Sequence, residues 1–181
     1  MGALSGVRVL ELGNFIAGPF AGQLLADHGA EVLKVEAPDS GDQMRRWGVV
    51  HNGESLWWPS IARNKSSVAV DLRIAEGRDV IRRLSRSVDV VLENFRPGTL
   101  QKWGLDYETL AQDHPGLIMV HVSGYGQTGP RANESGFGSI GEAMGGLRYV
   151  TGNPGMPPTR CGISIGDSLA SLFAVIGTLL A

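Results

Sequence analysis

The chain has a single cysteine, Cys161, among its 181 residues. No disulfide can form within it, and a reducing compartment fits best. Neither sign of charge dominates: 16 basic residues stand against 18 acidic ones, a net charge of -2. That balance leaves no electrostatic footprint for nucleic acid or an anionic membrane. The first residues, Met-Gly-Ala-Leu-Ser-Gly-Val-Arg, lack the basic start and apolar stretch of a signal peptide. A myristoylation reading of Gly2 fails because position 6 is Gly, where Ser or Thr is wanted. The four histidines (His28, His51, His114 and His121) have no metal-ligand spacing, and Cys161 has no cysteine or histidine nearby. No metal site is expected, and Cys161 reads as a small buried residue. Cofactor fingerprints are missing too. The turn Leu12-Gly13-Asn14-Phe15-Ile16-Ala17-Gly18-Pro19 lacks the Gly-x-Gly-x-x-Gly spacing, and no Walker phosphate loop occurs.

What is present is a regular alternation. Strands are expected over 7–12, 31–35, 67–72, 88–92 and 117–122, because each is a short apolar run. Between them, helical spacing covers 19–27, with His28-Gly29 as its cap, then 76–84 and 105–112. The long connection over 38–64 carries three of the four tryptophans and hides a short helix over 54–61. This order predicts an α/β fold: a mostly parallel, Rossmann-like sheet with helices on both faces. From 124 to 166 glycines crowd together, and the stretch reads as a loop with one short helix over 139–144. A last helix starts near Asp167 and is apolar nearly all round, so burial is expected. It is too short for a membrane span. It runs to Leu-Leu-Ala without a cap, which reads as a chain that stops before its fold does.

Asp167 is the acid of most interest. Its plain reading is a helix N-cap. Its functional reading is compatible: a carboxylate fixed and held ionised at a helix start, with Gly162 and Gly166 leaving room for a carbonyl, suits covalent acyl transfer. Glu93-Asn94-Phe95-Arg96-Pro97-Gly98 follows a strand, where parallel sheets bind ligands. Asn94 also reads as a turn former, and Arg96 as a solvated charge. Arg73 and Lys102 lie near strand ends or in the loops that follow, as phosphate contacts or as plain surface charges.

Seven segments in order carry a resemblance. They are Leu4-Ser5-Gly6-Val7-Arg8-Val9-Leu10-Glu11 with Ala17-Gly18-Pro19, Gly29-Ala30-Glu31-Val32-Leu33-Lys34-Val35-Glu36, and Pro38 with Gly41-Asp42 and Arg45. Asn64-Lys65-Ser66-Ser67-Val68-Ala69-Val70-Asp71-Leu72 and Glu93-Asn94-Phe95-Arg96-Pro97-Gly98 follow. Ser123-Gly124-Tyr125-Gly126-Gln127-Thr128-Gly129-Pro130 and Gly166-Asp167 complete the set. Together they resemble the class III CoA-transferase (CaiB/BaiF) family, which includes formyl-CoA transferase and alpha-methylacyl-CoA racemase.

The resemblance implies that residues 1–181 form the N-terminal portion of a CoA-binding large domain, without the family's small domain and C-terminal return segment. It implies an interlocked homodimer when complete, a cytoplasmic enzyme (or a matrix one if the source is eukaryotic), no permanently bound cofactor, and coenzyme A or acyl-CoA with a carboxylic acid as substrates. Asp167 falls on the catalytic aspartate. Asn94, Phe95 and Arg96 fall in the CoA-nucleotide motif, and Arg73 and Lys102 where formyl-CoA transferase has basic residues near CoA phosphates. Ile16, Ala37 and Gly138 depart from a glutamine, an arginine and an acid, which argues against formate or oxalate as substrate. Phe137 stands where the racemases have a histidine, so an acyl-CoA racemase is the lesser alternative. A non-catalytic CoA-binding fragment is the other.

Overall fold

A computed structural model describes residues 2–181. Its centre is a five-stranded sheet: β1 (Arg8–Glu11), β2 (Glu31–Glu36), β5 (Lys65–Ala69), β6 (Val90–Glu93) and β7 (Ile118–His121). The order is β5-β2-β1-β6-β7, and every pairing is parallel. The central strands are buried on both sides, as helices on both faces require. Val9, Val32, Val90 and Leu92 face α1 (Ala17–Asp27) and α8 (Ile165–Leu180). Leu10, Leu12, Val35 and Val91 face α3 (Ala75–Ser85), α4 (Thr99–Trp103) and α5 (Tyr107–Leu110).

Local chemistry sets the element ends. Pro19 sits in the first turn of α1, where its missing N–H breaks no helical bond. Gly29, at a φ of 104°, closes that helix: its N–H bonds Ala26 O at 2.9 Å while Ala30 N–H bonds Leu25 O at 3.1 Å. This is the paired-bond helix end that favours glycine.

Differences from the expected elements have physical causes. The third strand lies over Lys65–Ala69, two residues earlier than its apolar part suggests. It is an edge strand aligned on β2, with Val68 opposite Val35, so its polar half also pairs. The connection before it holds a hairpin, β3 (Val50–His51) with β4 (Glu54–Ser55), and then α2 (Trp58–Ala62). The helix expected over 105–112 is the shorter α5, and α4 precedes it as a further helix, closed by Gly104 in the left-handed region at a φ of 61°. The short helix of the glycine-rich segment is α6 (Gly138–Met144), followed by α7 (Leu147–Val150). Cys161 is half-buried rather than buried. The last helix is not buried all round either. Its Ala174 and Val175 join the core, whereas Phe173 is 71% exposed and Leu180 82%. It packs along α1, α6 and β7, and the side that carries Phe173 is left uncovered among the described residues.

Four charged groups lie beneath the C-terminal ends of β1 and β2. Lys34, 1% exposed, places its Nζ 2.8 Å from Glu11 Oε1 and 2.8 Å from Gly13 O. The same ammonium is 2.7 Å from Asp42 Oδ2, an ion pair off the hydrogen-bond axis. Lys65 takes the other oxygen, Glu11 Oε2, at 2.7 Å. Burial opposes the charge on Lys34, but Glu11 and Asp42 outweigh it and hold the ammonium above the ordinary lysine value. On Lys65 burial wins over Glu11 and the value falls. Glu36 lies beside this group. Burial pushes its carboxyl up, but Arg45, Ser67 and the Asp42 N–H together hold it at about 2.

Lys34→Met would leave Glu11 and Asp42 buried with too little positive charge. The expected loss is about 3–5 kcal/mol, read as a lower urea midpoint. Glu36 stabilises the fold above its ordinary value of 4.5, and that contribution is lost as pH falls towards 2. Glu36→Gln should therefore flatten the pH dependence of the unfolding midpoint across that interval.

Candidate active site

The sheet order reverses at β1. The chain moves outward through β2 and β5, then returns to the other side of β1 with β6. Ligands of open parallel sheets bind outside the strand ends at such a switch point. A cleft of about 1320 Å³ opens there. Its walls include Asn14 to Ala17 after β1, Asn94 to Pro97 after β6, and residues of α6, α7 and the start of α8.

The β1 wall is held from two sides. Asn94 Oδ1 accepts from the Asn14 N–H at 2.8 Å, and Asn94 Nδ2 donates to Asn14 O at 2.8 Å. From the other side, Asp42 Oδ1 accepts from the Phe15 N–H at 3.0 Å. Phe15 between them has a φ of 67°, a conformation rare for a bulky residue, and its ring meets Trp47 edge-on at 5.0 Å. The amide of Asn94 is thus occupied in shaping the wall. Glu93 does similar work one residue earlier: its Oε2 accepts from the Phe95 N–H at 2.6 Å, and its Oε1 meets His121 Nδ1.

Asp167 enters from the opposite wall, in the first turn of α8. It is not the N-cap. Ser164 holds that place, so Asp167 is the third helical residue, and its carboxylate points towards Gly138. A Cβ built on Gly138 would stand 2.6 to 3.0 Å from the three carboxyl atoms of Asp167. Only glycine leaves room for that acid. Among the described residues the side chain of Asp167 has no hydrogen-bond partner. The expectation that the helix start holds it firmly ionised is therefore corrected. Burial, then the nearby charge of Glu142, raises its proton affinity above the usual carboxylate range, and Arg160 only partly opposes them.

The structure brings Asp167, Asn94, Phe95 and Arg96 to one cleft. Arg73 and Lys102 are not among its lining residues. Arg73 is 72% exposed and engaged with Asp71, Nε to Oδ1 at 2.8 Å, which draws Asp71 down to about 2. Lys102 lies exposed in the last turn of α4. Three charged residues of the cleft escape the sequence reading, Glu134, Glu142 and Arg160. Glu142 has a faint sequence signal, as the one charged residue in Gly-Ser-Ile-Gly-Glu-Ala-Met. Arg160 has none. Ile16, Phe137 and Gly138 all line the cleft, and none of the four histidines does.

The family model for CoA-transferase family III matches residues 4–181. The chain is 63% identical over 179 residues to succinyl-CoA–D-citramalate CoA-transferase of Chloroflexus aurantiacus, covering 98% of this chain and 44% of that protein. It is 43% identical to succinate–glutarate CoA-transferase of Agrobacterium fabrum, covering 95% of this chain and 45% of that one. A crystal structure of a CaiB/BaiF family protein from Brucella suis superposes with a TM-score of 0.93 at 40% identity, over 99% of this chain and 48% of its own. The chain thus spans less than half the length of these relatives. Matched by that model over nearly all of its residues, the chain belongs to CoA-transferase family III.

Proposed function

We propose that this chain is the N-terminal portion of the CoA-binding domain of a CoA-transferase, and that Asp167 is its nucleophile. One observation carries the reading: a partly buried carboxylate with no hydrogen-bond partner faces the same cleft as Asn94, Phe95 and Arg96, across a gap kept open by Gly138. A carboxylate with raised proton affinity is a stronger nucleophile once ionised.

In the proposed cycle an Asp167 oxygen attacks the thioester carbonyl of the donor. The carbon–sulfur bond breaks and CoA leaves as thiolate, giving a mixed anhydride. The thiolate then attacks the aspartyl carbonyl, releasing the donor acid as carboxylate and forming an aspartyl-CoA thioester. The acceptor carboxylate attacks that thioester, and the displaced thiolate takes the acceptor acyl group. Asp167 returns as carboxylate. Each step exchanges one activated acyl bond for another, so no outside energy source enters. Backbone N–H groups at the start of α8 are suited to stabilise the oxyanions.

The relatives' names pair succinyl-CoA or succinate with citramalate or glutarate. Carried to this chain, they make the substrates a succinyl-type thioester and a second dicarboxylic acid. The guanidinium groups of Arg96 and Arg160 on the cleft suit such anionic ligands, and Arg96 suits the CoA phosphates. Arg73 and Lys102 would meet CoA only where it extends beyond the cleft. The complete protein is proposed to act as an interlocked homodimer, and the uncovered face of α8 supports a further layer of protein there. A racemase needs a proton-transferring residue where this cleft presents Phe137, 77% exposed.

Incubating the full-length protein with succinyl-CoA should leave a CoA adduct on Asp167, detected by mass spectrometry of peptides. Asp167→Ala should carry none and lose transfer. An adduct elsewhere, or transfer that survives the substitution, would sink the reading. Gly138→Ala should fold with a near-normal melting temperature but lose about a hundredfold in kcat/KM, because its methyl group displaces the carboxylate.

A further inference from the structure

The proposed cycle makes no use of a second acid in the cleft. Glu142, on α6, is 3% exposed and lines the same space as Asp167. Its Oε1 takes a long bond of 3.4 Å from the Gly166 N–H. Its Oε2 is buried and has no hydrogen-bond partner among the described residues. The nearest cation, Arg148 Nε on α7, stands 3.8 Å away and is itself without a hydrogen bond. A buried carboxylate satisfied this poorly destabilises a fold. Nothing in the packing of α6 requires an acid at that position. The acid is nevertheless fitted closely beneath the start of α8: a Cβ on Gly166 would meet Glu142 Cγ at 3.3 Å and Gly138 O at 2.7 Å.

We propose that Glu142 is a positioning residue for Asp167, a fixed negative charge under Gly166 that favours the acylated, uncharged state of the nucleophile over its free carboxylate. This rests on the reading of Asp167 given above. Two carboxylates in a poorly solvated site repel one another. Acylation converts Asp167 to a neutral anhydride or thioester and removes that repulsion. The same repulsion makes the free carboxylate more basic, and so a better attacking group. Two further charged groups bear on the pair: Arg148 beside Glu142 on α7, and Arg160 from the loop before α8. Arg160 weakens the push on Asp167.

Glu142→Gln separates this role from plain packing, since glutamine keeps the shape and an oxygen for the Gly166 N–H but has no charge. In the full-length protein, the acid limb of the kcat/KM profile should move to lower pH. Plateau kcat/KM should fall about tenfold, the equivalent of one pKa unit. Less aspartyl-CoA should accumulate, with the melting temperature unchanged. Glu142→Asp should restore the acid limb in part. Should Glu142→Gln fail to fold, Arg148→Gln replaces it: with Glu142 less screened, the acid limb should move to higher pH. A wild-type profile and adduct level in Glu142→Gln, or an unmoved limb in Arg148→Gln, would overturn the proposal. Wild-type protein that forms no adduct on Asp167 would instead overturn the nucleophile reading.

Discussion

The ammonium of Lys34 is the point from which the geometry of the site follows. It binds Glu11 at the end of β1, the Gly13 carbonyl just beyond, and Asp42 from the next crossover, all out of water. A buried cation with these partners has one low-energy arrangement, and any slip would strand a charge. Asp42, so fixed, receives the N–H groups of Phe15 and Met44. The unusual backbone of Phe15 is held from below by an acid that is held by a lysine. The cleft wall is therefore as rigid as the sheet beneath it.

The opposite wall is joined to the same frame. Ser171 on α8 places its hydroxyl 2.6 Å from Ala17 O on α1 and 2.7 Å from Asp167 O, one turn back on its own helix. The helix that presents Asp167 is thus registered against the helix that begins at the β1 wall. Asn94 completes the frame from β6 through two bonds to Asn14. Asp167 and the Asn94 to Arg96 turn, 73 and 71 residues apart at their ends, face one space because both sit at the single reversal of strand order.

Much of this was legible in the residues. The apolar runs of β1, β2, β6 and β7 stand out because buried parallel strands need them, and the rule of strand ends picks out Asn94 to Arg96. The edge strand β5 begins before its apolar signal, because its polar half, Lys65 to Ser67, pairs only where β2 is there to receive it. The helix α4 falls outside the sequence reading because its five residues, closed by Gly104 in a left-handed conformation, are too few to show a periodicity. The open face of α8 is not legible, because an apolar helix calls for burial without naming what buries it. Charge burial was the least visible. Lys34 sits in Val-Leu-Lys-Val and Glu142 in a run of small residues, and a sequence marks such groups as odd without saying what they meet.

The two walls differ in kind, and this bears on how such a site can change over time. The β1 and β6 side is locked by buried ions and paired amides, where single replacements break several contacts at once. The Glu134 to Arg160 side is built from short helices and turns whose side chains, Tyr149 at 88% exposed among them, mostly contact little else in this chain. Substitutions at its exposed positions, such as Tyr149 and Val150, alter the shape offered to a ligand without touching the mount of the carboxylate, whereas Gly138 and Glu142 on the same side pack against that mount. The architecture thus separates a rigid mount from an adaptable mouth, and the shape of the space can drift on one bank of the cleft alone.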